Sequence, residues 1–396
     1  MKISIISDEH FPHTGADTEV IVNTAAALGD LGAEVTLLTP WLWHHQVSPD
    51  ALYEYYGVKS SFTHHALFNP CPPERLLRSQ QFTHAFLCAT QSSFWKADII
   101  HSRNHAPITL AHFFKRPWSY ETYRRHAAEK PWLPKWTKRI NFKRVIGAIS
   151  HSEQSAKDLQ QLGFNEESVL VARPGFNRTA FTQCTSRDIA RKKLGISSNQ
   201  VLVGYVGNIG PGKGVNHCIK AMKEIHHAQL LIVGGSTAEV ASLTNQIPNE
   251  QRDRVHLTGH QPSARVPLYI SACDLVLIPP LERNSRGAIL DRILPKILPG
   301  TPLKIYAYWA AQRPIIAADQ PHSSEILMHE KNALLYDSDS SESFRQTIER
   351  ALSDKALAQA IAHQGHQEVQ IMTYTRRAEQ MLAFYERRLS EIGQIQ

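Results

Sequence analysis

Short apolar runs of strand length alternate along this chain with segments in which apolar residues recur every three to four positions. In the first half, residues 2–7, 35–38, 98–101, 118–121 and 145–150 read as buried strands, and residues 169–171 lead into a domain hinge. Residues 19–31 and 152–162 read as helices, stopped by Gly32 and Gly163. The stretch from Trp41 to about Ser79 is polar and aromatic and carries no period that assigns an element. After ARPGFN, where Pro174 and Gly175 punctuate the chain, the alternation restarts. Strands are expected at 201–206, 229–233, 255–258, 275–278 and 314–317. Helices are expected at 215–225, 266–272, 303–311 and 343–352, with a long amphipathic one at 376–389.

Strand–helix alternation of this kind predicts parallel sheets with crossover helices. Two successive units of similar size predict two doubly wound Rossmann-like α/β domains facing a cleft, with ligands at the carboxyl ends of the strands. The expected division is 1–172, 173–372 and a C-terminal helix at 373–396 that packs back on the first domain. A chain of 396 residues suits two domains.

Composition narrows the class only a little. No apolar run is long enough to span a bilayer. The opening MKISIISDEHF reads as a buried strand rather than a leader. Five scattered cysteines (Cys71, Cys88, Cys184, Cys218, Cys273) lack metal-ligand spacing and point to a reducing, cytoplasmic compartment. The net charge of +7 suits acidic small molecules, membrane surfaces or nucleic acid equally. Residues 115–144 concentrate it. Ten basic side chains there face only Glu121 and Glu129, with Trp118, Trp132 and Trp136 interleaved. That mixture suits an anionic membrane surface on the cytoplasmic side, an acidic lipid-linked acceptor, or a plain solvated face. No nucleic-acid module is present, so nucleic acid is not expected as a partner. The paired histidines at 44–45, 64–65 and 226–227 lack further ligands at metal spacing, and no metal site is expected.

Two segments carry candidate chemistry. In VLVGYVGNIGPGKGVNHCIKAM a strand enters a turn with Gly207, Gly210, Gly212 and Gly214, then a helix. Glycines let backbone N–H groups approach a phosphate, and Lys213 sits where it can neutralise a diphosphate. No Lys-Ser/Thr pair follows, so this is not a Walker loop. In LPGTPLKIYAYWAAQRPIIAA, Gly300 and Thr301 break and cap, and Pro302 opens a helix with Leu303 and Lys304 in its first turn. Taken singly, each segment also fits an ordinary strand–helix turn. Between them, LERNSRGAILDRILPK places Glu282, Arg286 and Gly287 on a loop past a strand's carboxyl end, where contacts to a donor sugar or a plain surface loop are expected.

Together the two segments resemble the C-terminal lobe of the retaining family-four glycosyltransferases of the GT-B fold. The matching stretches read GYVGNIGPGKGV, LLIVGG, VHLTGH, LYISACDLVLIPP, TPLKIYAYWA, RPIIAA and ALLYDS. KISIISDEHFPHTGADTEV, DIIHSRNH and AISHSEQSAKDL extend the resemblance into the first half. It implies transfer of a hexose from a UDP- or GDP-sugar, with retention, to a glycan or lipid-linked acceptor. No cofactor and no metal at the leaving diphosphate are implied. The implied donor site is Gly207, Asn208, Gly212, Lys213, Gly214, Pro302, Leu303, Lys304 and position 307, with the loop residues Glu282, Arg286 and Gly287. The implied acceptor-side loop holds Gly15, Ala16 and Arg103.

Three positions depart from the family pattern. Its ribose-binding glutamate is Ala307, its glycine-turn arginine is Asn208, and its histidine after the central first-lobe strand is replaced by Tyr123, with His126 close by. These departures leave a divergent active branch, a non-catalytic binding or scaffold module, and an engineered Glu-to-Ala variant all open. GT-B epimerisation is another rival; phosphorolysis would require a cofactor-lysine site that the chain lacks.

Overall fold

The structure, a computed structural model, describes residues 1–41, 48–69, 77–122, 145–182, 186–281, 302–321 and 323–394. The chain forms two compact units. Met1–Pro174 and Tyr374–Gln396 make the first, and the described residues from Gly175 to Thr373 make the second.

The first unit is built on parallel strands β1 (Lys2–Ile6), β2 (Glu34–Trp41), β3 (Thr63–Phe68), β4 (Ile99–Ser102), β5 (Trp118–Thr122), β6 (Val145–Ser150) and β7 (Val169–Val171), in the order 3-2-1-4-5-6-7. Its central strands are buried along their length because helices cover both faces. The stretch without a readable period holds the helices Pro49–Tyr56 and Leu77–Ala89 and the edge strand β3. THHALF is mostly exposed at that edge, which is why it carries no apolar signal. The helix Tyr374–Gln394 packs against the helix Ala16–Asp30 within this unit. Two close fits hold it. Gly147 has no room for a Cβ beside Phe384, and the Tyr385 hydroxyl meets His101 Nδ1 at 3.0 Å.

The second unit has parallel strands β8 (Val201–Val206), β9 (Ala228–Val233), β10 (Val255–Leu257), β11 (Leu275–Ile278), β12 (Ile315–Ala318) and β13 (Leu334–Tyr336), in the order 10-9-8-11-12-13. The order reverses between β8 and β11, so the carboxyl end of β8 lies at the switch point of a doubly wound sheet. Apolar clusters fill both faces, one centred on Tyr205, Cys218 and Leu230, the other on Tyr306, Tyr308 and Trp309. Asp274, before β11, accepts from Arg187 Nε at 2.7 Å, Arg191 Nη2 at 2.8 Å and Leu202 N at 2.7 Å, locking the helix Arg187–Leu194 to the sheet.

Candidate functional site: the glycine turn of the second unit

The turn is shaped by backbone bonds that continue past β8. Gly207 N donates to Val233 O at 2.9 Å. The Tyr205 hydroxyl donates to Asn208 O at 2.6 Å, and Asn208 Oδ1 accepts from Gly210 N at 2.6 Å. The Asn208 carboxamide therefore closes the turn on itself, as short polar side chains do in tight turns. Gly214, at φ +69°, caps the helix Val215–Ala221, and a Cβ there would stand 2.1 Å from Pro280 O. Only glycine allows the loops after β8 and β11 to approach this closely.

The helix Lys304–Ala310 is fixed from below by Tyr308, whose hydroxyl accepts from Val206 N at 2.9 Å. It begins later than the sequence suggests. Its N-cap is Leu303, with no side-chain cap bond, while Gly300 and Thr301 lie outside the described residues. Its first residue carries the central feature of the site. Lys304 Nζ lies 3.9 Å over the Tyr205 ring, and a Cβ on Gly207 would be 3.0 Å from it. Burial, then the like charge of Lys213, pulls the Lys304 ammonium down to about 7, with Cys218 opposing. Burial in turn pushes the Cys218 thiol up to about 12. Lys213 is exposed on the turn. Among the described residues no carboxylate forms an ion pair with either lysine. The nearby Glu239 is tied to Ser236, whose N and Oγ it accepts at 2.8 and 2.9 Å in a capping box.

Of the expected donor-site residues, Gly207, Asn208, Gly212, Lys213, Gly214, Pro302, Leu303, Lys304 and Ala307 all lie in this one unit, on the loop after β8 and the first turns of one helix. Ala307 is partly buried, three residues beyond Lys304. Glu282, Arg286, Gly287, Tyr123 and His126 fall outside the described residues. An open cavity of about 830 Å³, lined in part by Arg187, Asp274, Arg313 and His363, lies at the amino ends of β8 and β11, away from the turn.

In the first unit, Arg103 Nη1 donates to Asp17 O at 3.1 Å, which brings it to the start of the helix that Gly15 and Ala16 open. Sequence reasoning missed the cluster beside it. The Glu121 carboxylate, 2% exposed, meets Arg377 Nη2 at 2.6 Å, His151 Nε2 at 2.7 Å, His101 Nε2 at 3.1 Å and Arg103 Nε at 3.5 Å. Burial alone would raise its pKa. Arg377, Arg103 and the two histidine bonds outweigh that and hold it well below the usual range. Burial pulls His151 down to about 4. A second acid, the partly buried Glu19, is pushed up by desolvation to about 7 near Tyr55 and Tyr56. A polar residue late in three apolar runs (IIHS, WSYET, AISH) was the available signal for the cluster.

Among the described residues, no group of three His, Cys, Asp or Glu side chains is placed to hold a metal ion, and no helix is long and apolar enough to cross a membrane.

Two doubly wound parallel sheets in one chain, the second with a glycine turn at its switch point, define a protein of the GT-B fold. Residues 186–368, within the second unit, match Glycosyl transferases group 1. The D-inositol 3-phosphate glycosyltransferase of Jonesia denitrificans is 25% identical over 254 residues, 60% of this chain and 56% of that protein. The chain spans about half the length of the curated relatives it matches. Among solved structures, Anabaena Alr3699/HepE with UDP and glucose superposes with a TM-score of 0.72 at 18% identity, covering 98% of this chain and 99% of that one. Sucrose-phosphate synthase from Thermosynechococcus elongatus gives 0.76 at 19% identity, also over 98% and 99%. At these identities the superpositions establish the fold.

Proposed function

We propose that this protein is a glycosyltransferase that moves a hexose from a UDP- or GDP-sugar to a glycan or lipid-linked acceptor with retention of configuration. The observation that carries the reading is the pair Lys213 and Lys304 at the carboxyl end of β8, with no described carboxylate paired to either. In that position the two side chains and the turn amides balance the charge of a departing diphosphate, with neither metal nor cofactor. Preorganised donors of this kind supply much of the rate enhancement in group transfer. The neighbours support the donor class, since the HepE structure holds UDP and glucose. Ala307 is the observation that favours the rival, a binding protein without turnover.

A thermal-shift screen with UDP, GDP, ADP and their sugars tests the reading. A ligand at 100 times its Kd adds about 2.7 kcal/mol, and a flat screen removes the proposal. Lys213→Ala is expected to weaken UDP or GDP binding about tenfold and leave the nucleoside unaffected, because it removes one charge-assisted contact to phosphate. Calorimetry that finds equal losses for both ligands takes Lys213 out of the site.

The acceptor side of the proposal includes an anionic membrane surface. Phe82, Phe86, Trp95 and Phe113 are 47, 57, 45 and 75% exposed, on three helices of the first unit. Those helices pack on one another, and Lys96 and Lys115 stand beside the aromatic residues at the head of the basic stretch 115–144. Each basic residue near an anionic surface contributes about 1 kcal/mol. Sedimentation with anionic vesicles is expected to recover the protein at low salt and release it at high salt. Binding to neutral vesicles only, or to none, removes this part of the reading.

A further inference from the structure

We infer that the groove at the amino ends of β8, β11 and β12 is a second small-molecule site, one that takes a phosphorylated sugar. Cations there meet the phosphate, and carboxamides meet the hydroxyls. The groove lies at the opposite end of the sheet from the glycine turn, shares no residue with it and does not depend on the donor-site reading. Val201, Leu275 and Pro314 border it where the three strands begin, and its volume of about 830 Å³ is that of a small-molecule pocket.

Positive charge is in excess around this space. Among the described residues Asp274 is the one acid that lines it, and both its oxygens are taken. They accept from Arg187 Nε at 2.7 Å, from Arg191 Nη2 at 2.8 Å and from Leu202 N at 2.7 Å. Arg191 is buried and gives its other N–H groups to the carbonyls of Ala272, Ser197, Ser198 and Gln200, so its pair with Asp274 is closed and neutral. Arg187, Arg313 and Lys355 remain on the lining. Asp188 pairs with Arg187 at 3.1 Å from outside it. Arg313 donates from Nε to Ala311 O at 3.0 Å and from Nη1 to Cys273 O at 3.2 Å, which fixes the plane of its guanidinium. Its Nη2 and the Lys355 ammonium have no hydrogen-bond partner among the described residues. A guanidinium held in place beside a free ammonium is a preformed receptor for phosphate oxygens.

The helix Lys355–Val369 supplies the space and part of the polar lining. Its row Lys355, Gln359 and His363 repeats every four residues along the groove. The neighbouring row, Ala358 and Ala362, is cut back to methyl groups, which leaves room between the polar side chains and the sheet. Gln200, Gln312 and Gln359 bring carboxamides with no partner among the described residues. Each carries two donors and an acceptor, the set that hydroxyl groups require. Gln312 adds an independent observation. It follows the helix Lys304–Ala310 in the left-handed region, at φ +53°, a position that glycine fills without strain and a residue with a side chain does not. The chain keeps a strained backbone there, and the side chain that causes the strain lines the groove.

The test is calorimetry on the full chain with glucose 6-phosphate, inorganic phosphate and glucose. Glucose 6-phosphate is expected to bind about tenfold more tightly than inorganic phosphate, and glucose to give no signal. Lys355→Glu is expected to weaken glucose 6-phosphate about tenfold. The position is exposed, and an acid suits the first turn of a helix, so this variant keeps its fold. Gln312→Gly is expected to bind about threefold more weakly without any fall in Tm. Lys213→Ala, at the other end of the sheet, is expected to bind glucose 6-phosphate as the wild type does. Three outcomes overturn the inference. One is no binding of glucose 6-phosphate at about 10 mM. Another is equal affinity for inorganic phosphate, which leaves an anion patch with no reading of hydroxyls. The third is wild-type affinity in Lys355→Glu with the loss in Lys213→Ala, which puts the ligand at the glycine turn.

Discussion

Arg377→Ala is expected to destabilise the first unit by about 3–5 kcal/mol, the scale for removing one partner of a buried ion pair. Arg377 is 1% exposed and reaches three parts of the unit. Its Nη2 meets Glu121 at 2.6 Å, its Nε donates to Thr24 Oγ1 at 3.2 Å, and its Nη1 donates to the Ala172 carbonyl. Alanine leaves the Glu121 carboxylate buried with only Arg103 and two histidines, and leaves a backbone carbonyl without its donor. Arg377 is the largest of the influences that hold Glu121 below the usual carboxylate range, so its loss sets Arg103 and the two histidine bonds alone against the burial of the carboxylate. The sign follows. A depressed folded pKa gives a contribution that is complete above about pH 4 and is lost only as pH falls through the depressed value. Urea denaturation at pH 7, followed on the transition of the first unit, measures the loss. The double variant Glu121→Gln, Arg377→Met is expected to lose less than Arg377→Ala alone, since both charges leave together. A loss below about 1 kcal/mol for the single variant would show that Arg103 and the histidines suffice for the carboxylate.

The same cluster shows where the sequence was legible and where it was not. β1, β4–β6, β8, β9, β11 and β12 are short apolar runs, and their pattern placed them within a residue or two, whereas β7 read as part of a hinge. β3 could not be read, because an edge strand with one face in water carries histidines and threonine where a central strand carries valine. The helix His105–Phe113 was missed for a related reason. His105, Pro107 and His112 interrupt its apolar face, although a proline in the first turn costs no helical hydrogen bond. The glycine turn and the lysines of the candidate site were legible because they lie close in sequence around each loop. The Glu121 cluster was not, since its partners come from positions 101, 103, 151 and 377. Only the fold brings a C-terminal helix beside a strand formed 256 residues earlier.

Asn208 shows a further limit. As a departure from the family arginine it read as a missing charge, whereas its side chain closes the turn through Gly210 N. Lys304 reaches the same turn from another helix, which spacing along the chain could not show.

Ala307→Glu is expected to tighten UDP or GDP binding by roughly 1.5–3 kcal/mol, about tenfold to a hundredfold. The helix around it is intact. Tyr308 is anchored to β8, and Arg313 N closes the helix end on Tyr308 O at 3.1 Å. Position 307 is partly buried against the apolar cluster of this unit and lies one turn beyond Lys304, so the two share a helix face. Alanine there offers no acceptor to vicinal ribose hydroxyls, and glutamate offers two oxygens. The competing outcome is physical as well. A glutamate three residues after Lys304 can pair with that amine and occupy it. Comparing ligands separates the two. A ribose contact strengthens UDP but not inorganic pyrophosphate. An internal ion pair weakens pyrophosphate and leaves UDP no tighter than in the wild type. The second pattern would place the ribose away from this helix face and withdraw position 307 from the donor site.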